Sequence, residues 1–313
     1  VTLLHTLAQV LLRKSLMILS RYGPISTRNG IMMEISLSTH LFTFHPLDES
    51  IVPLFPRFGF SRAELWAMPP HFPYDNPAEA DRIAERLASN GVRIASVHSP
   101  LYPDVRTYRE DRWFSLSSED DEHRRVSVAA TARAAGWLSH YGGGTIVVHT
   151  TFPSENWFPH RWAAFLSSMN ELLALVPENV RFAVENTPLV SGRAEIILDI
   201  VHRYPDDRVG VCLDLGHANI QENVENAVRA CGQRLIHVHA SDNHAGRDDH
   251  FVPGRGSIQW DLAVAALREV GFQGPFTLEL RDYTRGENAP YGNFEEILAE
   301  CRDALARIFN GAP

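Results

Sequence analysis

The sequence predicts an α/β fold, a closed (β/α)8 TIM barrel in a single domain behind a short N-terminal extension. Short apolar runs rich in β-branched residues alternate with amphipathic stretches from Met33 to Phe309. Such alternation calls for parallel strands joined by helical crossovers, and about eight units of this kind suit a barrel closed on itself. No glycine-rich phosphate loop follows the first strand, which argues against an open dinucleotide-binding sheet.

Residues 1–31 read as an extension outside the barrel, which is assigned to residues 32–313. The extension has helix-like apolar spacing broken by Arg13 and Lys14, and its uncharged runs are too short to span a bilayer. Glu34–Thr39 and Glu64–Ala67 are the first two strands, with a weak helical signal between them around Leu41–Val52. The proline-rich loop Met68–Pro73 follows. Ala78–Asn90 is helical and closes at Gly91, a residue suited to a helix C-terminus. Val92–His98 is the third strand, and a long helix over Ser118–Tyr141 ends at Gly142, Gly143 and Gly144. Thr145–His149 and Val180–Glu185 are strands around a helix at Trp162–Val176, which Pro177 stops. Arg193–Tyr204 is a helix and Arg208–Leu213 the sixth strand. Helix Asn223–Cys231, strand Leu235–His239 and the loop Ala240–Gly256 come next. Helix Ile258–Val270, strand Phe276–Leu280 and helix Asn293–Phe309 complete the pattern.

Hydrophobic residues make up 44% and charged residues 21%, the balance of a globular domain. A net charge of −9 gives no global basic field for nucleic acid or an anionic membrane. Cys212, Cys231 and Cys301 are scattered and form no C-x-x-C, which predicts a reducing compartment, the cytoplasm, and no disulfide framework. A homo-oligomer is compatible with this composition. Histidine is unusually frequent, at 15.

Six consecutive strands end in a residue that can ligate a divalent metal: His98, His149, Glu185, Asp214, His239 and Glu279. In a barrel the C-terminal strand tips converge on one mouth. Singly, each has a plainer reading, and Asp214 in particular suits a helix N-cap. Glu185 and Glu279 follow apolar residues, where an unpaired carboxylate would be costly. Six coincidences at one rim are better explained by one shared site. His217, three residues after Asp214, and the pair Asp248 and His250 could extend it. His237 shares the strand face of His239 but lies deeper. His71, in the loop after the second strand, and Arg281, on the face of Glu279, are candidates for substrate contact. Carboxylates with imidazoles suit zinc, manganese, cobalt or iron.

Residues 33–309 resemble the xylose isomerase-like barrel superfamily, in particular its sugar phosphate isomerase/epimerase proteins. The matching segments are ELWAMPPHF, SVHSP, VVHTTFP, VENTP, CLDLGHAN, HVHASDN, HFVPGRGSIQW and LELR. The resemblance to ketose 3-epimerase-like members implies one divalent ion held by Glu185, Asp214, His239 and Glu279. It also implies that Glu185 and Glu279 act as acid and base on opposite faces of a small sugar, through an enediolate stabilised by the metal. His217 and His98 would then touch substrate. Those epimerases place arginine four residues before the first glycine of P-G-x-G, and here that position is His250. No lysine-rich or P-loop segment marks a phosphate pocket.

A second branch, the endonuclease IV-type abasic-site nucleases, is similar at nine positions for three zinc ions: His98, His149, Glu185, Asp214, His217, His239, Asp248, His250 and Glu279. Basic loops that would grip a duplex are not evident. A dehydratase or lyase acting on an inosose- or shikimate-type ketone would use the same enolate chemistry. The expected function is therefore metal-dependent isomerisation or epimerisation of a small polyhydroxylated carbonyl compound, with one ion, or up to three.

Overall fold

The computed structural model describes residues 33–110, 112–150, 159–189, 192–285 and 289–310; the extension expected at residues 1–31 lies outside them. Strands β1 (Glu34–Ser38), β2 (Arg62–Trp66), β3 (Arg93–His98), β4 (Gly144–His149), β5 (Val180–Glu185), β6 (Val209–Asp214), β7 (Leu235–Ala240) and β8 (Pro275–Leu278) form one parallel barrel. They pair in chain order, and β1 closes on β8 in the register Glu34↔Pro275 to Leu37↔Leu278. The single-domain barrel expected from the alternation is the fold observed.

The crossovers are α1 (Leu54–Arg57), α2 (Pro77–Ser89), α3 (Val105–Arg109), α4 (Asp121–His140), α5 (Pro159–Leu175), α6 (Ala194–Val201), α7 (Leu215–Gln221), α8 (Val224–Cys231), α9 (Trp260–Glu269) and α10 (Phe294–Asn310). Helix α2 shows the logic: Pro77 opens it where no amide partner is needed, and Ala80, Ile83, Ala84 and Leu87 form its buried stripe.

Three elements differ from the sequence reading. The first crossover is a 3-10 turn at Thr39–Phe42 and the one-turn α1, because Pro46, Pro53 and Pro56 prevent a continuous helix across Leu41–Val52. An unforeseen turn, α3, is closed by a capping box in which Asp104 Oδ1 accepts from the Thr107 amide and the Thr107 hydroxyl accepts from the Asp104 amide. Strand β8 ends at Leu278, so Glu279 stands just beyond the ladder rather than inside it.

The main core fills the space between barrel and helices, with Phe42, Phe55, Phe165, Phe182 and Phe276 among its largest side chains. Side chains of opposite parity point inside the barrel. A separate apolar cluster of Val147, Ala183 and Cys212 lies there, each two residues before a strand-tip ligand. Buried Glu64, Ser96, His237 and Thr277 belong to the same interior. Among the described residues no helix is long and apolar enough to cross a membrane.

The long loop after β7 is held by Asp242. Its Oδ1 accepts the Asn243 amide (2.9 Å) and the Ile258 amide (3.2 Å), and its Oδ2 accepts the Gly254 amide (2.7 Å) and the Trp260 indole (2.8 Å). This explains the P-G-x-G segment. Gly254 takes φ of +93° to aim its amide at Asp242, and a Cβ on Gly256 would lie 2.2 Å from Asp242 Oδ1. Asp242→Ala strands these donors inside the protein, so thermal or denaturant unfolding should show a loss of about 3 kcal/mol. Unchanged stability would show that the loop is held by other contacts.

Candidate metal centre

The strand tips bring their ligand-type side chains together at the C-terminal mouth of the barrel. His98 ends β3, His149 ends β4, Glu185 ends β5, Asp214 ends β6, and His239 lies one residue from the end of β7. Asp214 caps a helix and still has an oxygen to spare. Its Oδ1 caps α7 by accepting the His217 amide at 2.6 Å, while Oδ2 is buried with no hydrogen bond among the described residues. Asn186 locks neighbouring tips together, accepting the Asp214 amide at 2.6 Å and donating to the Asp214 carbonyl at 3.0 Å. Gly216 is required by space, since a Cβ there would meet Ser241 Oγ at 2.6 Å and Asp214 Oδ1 at 3.1 Å.

Three groups of these side chains have ligand atoms within 4.8 Å of one another, and Cys212, His237 and His239 form a fourth in the barrel interior. Glu185, Asp214, His239 and Glu279 form the central group, with His239 Nδ1 3.2 Å from both Glu185 Oε1 and Glu279 Oε2. His98 and His149 flank Glu185, with their Nε2 atoms 3.3 and 3.1 Å from Oε2. His217 and His250 flank Asp248, at 3.5 Å from Oδ1 and 3.0 Å from Oδ2.

The outward ring nitrogens decide what this nest can hold. A backbone carbonyl only accepts, so a nitrogen that bonds to one carries a proton. His98 Nδ1 donates to the Ser99 carbonyl (2.9 Å), His217 Nδ1 to the Asn186 carbonyl (2.7 Å) and His250 Nδ1 to the Glu279 carbonyl (3.0 Å). In the neutral rings the Nε2 lone pairs then face the carboxylates, the arrangement of imidazoles prepared for a cation. Oε2 of Glu185, Oδ2 of Asp214 and Oδ1 of Asp248 are buried without a hydrogen-bond partner among the described residues. His250 takes φ of +50°, a conformation rare for a side chain of its size and fixed here by its two ring contacts. The donor set therefore fits a divalent metal.

The buried carboxylates and imidazoles shift one another's proton affinities. Burial pulls His217 down, yet Asp214 and Asp248 hold it well above its ordinary value. Burial also opposes charge on His239, but Cys212, Glu279, Glu64 and Glu185 hold it well above that value. Conversely, burial raises Glu185 and Asp248, while His149 and His239 around the first, and His250 and His217 around the second, hold both well below the carboxylate range. At Asp214 burial prevails and the carboxyl is raised.

The cavity, about 580 Å3, has the metal-type residues as its floor and an aromatic wall opposite. His40 and Trp66 lie 4.5 Å apart, and Tyr108 packs edge-on to Tyr102 and Trp66. Arg281 lines the rim, where it donates to Asp248 Oδ2 at 3.2 Å. His217 and His98 also line the cavity. His71 does not. It is buried behind the wall, its Nδ1 donating to the His45 carbonyl at 2.7 Å, so its position beside the loop does not bring it to substrate. Sequence reasoning missed His40, whose Nδ1 is 3.8 Å from Glu279 Oε1, and Glu64, buried beneath His239. Glu64 carried the same signal as Glu185, a carboxylate within an apolar strand. Placing the start of β2 at Glu64 hid it, because the strand begins at Arg62.

The xylose isomerase-like TIM barrel profile matches residues 56–305. A D-psicose 3-epimerase of Ruminiclostridium cellulolyticum is 35% identical over 236 residues, covering 71% of this chain and 74% of that protein. The uncharacterized protein y4fM of Sinorhizobium fredii is 29% identical over 249 residues, 70% of this chain and 76% of that one. The crystal structure of a D-tagatose 3-epimerase-like protein superposes with a TM-score of 0.70 at 22% identity, over 89% of this chain and 99% of that one, and shares the fold.

These shifts tie stability to pH. The raised His217 and His239 contribute stability that is complete below their ordinary value of 6.5 and is lost as the pH rises through their higher folded values. The lowered Glu185 and Asp248 contribute stability that is lost as the pH falls through their depressed values. Thermal melts of chelator-treated protein should therefore show a melting temperature that falls as the pH rises above about 6.5. Saturating zinc should flatten that fall, because an ion requires neutral imidazoles. A metal-free melting temperature that rises over this range would contradict the assignment.

Proposed function

The chain belongs to the xylose isomerase-like TIM barrel family, and on that premise we propose that it is a divalent-metal-dependent isomerase or epimerase. Its substrate would be a small sugar or related polyhydroxylated carbonyl compound, changed by proton transfer at the carbon beside the carbonyl. The observation that carries the reading is the buried set Glu185, Asp214, His239 and Glu279, whose ligand atoms lie within 4.8 Å of one another, with Glu185 and Glu279 lining the cavity. These four residues would hold one zinc, manganese, cobalt or iron ion. When bound, the ion supplies a Lewis acid that draws charge onto the substrate oxygens and so makes the neighbouring C–H acidic.

The protein's own groups do the rest. Glu185 and Glu279 form the acid/base pair. One, as a carboxylate, takes the proton from the carbon; the other, entering protonated, returns a proton to the opposite face, and the two exchange states with each turnover. Burial raises both carboxyls, while His149 and His239 lower Glu185 and His239 lowers Glu279, so the state of either depends on its imidazole neighbours. His98, His217 and Arg281 line the cavity where hydroxyls would sit. The aromatic wall offers Trp66, Tyr102 and Tyr108 to the C–H face of the substrate. At the position where ketose 3-epimerases carry arginine, His250 is pinned between Asp248 and the Glu279 carbonyl, so the end of the substrate nearest it would meet a different partner.

A second reading rests on the two flanking groups, His98, His149, Glu185 and His217, Asp248, His250. With three ions they would suit phosphodiester hydrolysis at abasic DNA, whereas a net charge of −9 and an aromatic wall favour a small substrate. A dehydratase acting on an inosose- or shikimate-type ketone would share the acid/base pair.

One incubation separates these readings. The metal-loaded protein is mixed in D2O with ketopentoses, ketohexoses and cyclic polyhydroxy ketones, and in parallel with an abasic duplex. The proposal expects one deuterium at the carbon beside the carbonyl, with Glu185→Gln and Glu279→Gln each slowing uptake by about 10²- to 10⁴-fold. Full rates in both variants, loss of water from the product, or strand nicking without deuterium uptake would overturn it.

A further inference from the structure

Among the histidines of the nest, His239 is oriented differently. His98, His217 and His250 anchor Nδ1 on backbone carbonyls and turn Nε2 toward the carboxylates. His239 is reversed: Nδ1 faces Glu185 and Glu279, and Nε2 points down into the barrel interior. There it meets no backbone carbonyl but the carboxylate of Glu64, whose two oxygens lie 3.1 and 3.2 Å from Nε2. Glu64 and His239 are both wholly buried, and Glu64 does not line the cavity.

We propose that Glu64 is the positioning residue of the metal centre, fixing His239 with its proton on Nε2 and its lone pair on Nδ1. The inference rests on the ion held by Glu185, Asp214, His239 and Glu279. If His239 is to ligate through Nδ1, its one proton must sit on Nε2 and needs an acceptor, and Glu64 is the acceptor in place. A charged acceptor makes a stronger hydrogen bond than a carbonyl and increases the basicity of the opposite nitrogen.

The carboxylate is itself held. Ser96 Oγ donates to Oε2 at 2.8 Å, and His237 Nε2 lies 3.1 Å from the same oxygen while contacting Thr277 Oγ1 at 3.1 Å. Side chains from β2, β3, β7 and β8 thus converge below the centre to orient one ring. This gives the buried His237 a role as well. It braces Glu64.

The test uses the full chain stripped by chelator and titrated with Co²⁺. Affinity for the first equivalent is read by competition with a chromophoric chelator, and its ligand field by visible absorption. Glu64→Gln keeps the shape and a neutral acceptor; Glu64→Leu keeps similar bulk and no acceptor. Second-layer partners of this kind contribute about 10- to 100-fold in metal affinity. Expected are about tenfold weaker binding in Glu64→Gln, about 100-fold in Glu64→Leu, and an altered Co²⁺ spectrum in both, with ion-free melting curves showing that each variant is folded. A purely space-filling Glu64 would make the two variants alike. A folded variant with wild-type affinity and spectrum overturns the role of Glu64 and leaves the centre standing. A wild-type chain that takes up no Co²⁺ overturns the centre and the inference together. Should Glu64→Leu fail to fold, Glu64→Gln alone decides.

Discussion

Negative charge buried among imidazoles, with one arginine at its edge, governs this structure. Glu64, Glu185, Asp214 and Glu279 are shut inside the barrel mouth, and Asp248 is nearly so. Among the described residues lining the cavity, Arg281 alone carries a permanent positive charge, and it sits at the rim against Asp248. Carboxylates removed from water are costly unless a counter-charge replaces their hydration. Here the counter-charge comes from imidazoles, which can share protons with the carboxylates or surrender them to a cation. The same groups thus tie stability to pH and make the nest suitable for a divalent ion.

The barrel supplies the geometry for this. Parallel strands end at one rim, and a period of two puts each tip ligand above an interior residue of the same strand. Beneath Glu185 lies Ala183, beneath Asp214 lies Cys212, and beneath His239 lies His237. On one side of the barrel the layer below is apolar, with Val147, Ala183 and Cys212. On the other it is polar and paired, with Ser96, Glu64, His237 and Thr277. The floor is therefore asymmetric: a plain wall supports the Glu185 side, while a hydrogen-bonded brace supports His239. Loops complete the site only where they are tied down, as Asp242 does for the segment bearing Asp248 and His250.

Much of the site was legible in the residues alone, because strand-end position is encoded by apolar runs that stop at a polar residue. His98, His149, Glu185, Asp214 and His239 all carry that signature, and the structure brings them together with Glu279. Where the reading and the structure differ, the causes are local. His71 lies near the mouth along the chain, but its loop folds back and buries the ring against the His45 carbonyl. His40, Trp66 and Glu64 depend on exact strand limits in β1 and β2, and a shift of two residues at Arg62 hid the carboxylate inside the strand. Asp214 looked like either a cap or a ligand because its two oxygens serve the two purposes separately. The first crossover was misplaced because prolines at 46, 53 and 56 leave room only for single turns.

The account stands on one cation gathering side chains from four strand ends. Diffraction from crystals grown with manganese or zinc, collected at the absorption edge of that metal, tests this most directly. The result predicted is an anomalous peak about 2.0–2.2 Å from oxygens of Glu185, Asp214 and Glu279 and from Nδ1 of His239. A peak bound through a different set, or no peak at the barrel mouth at full metal loading, would contradict it.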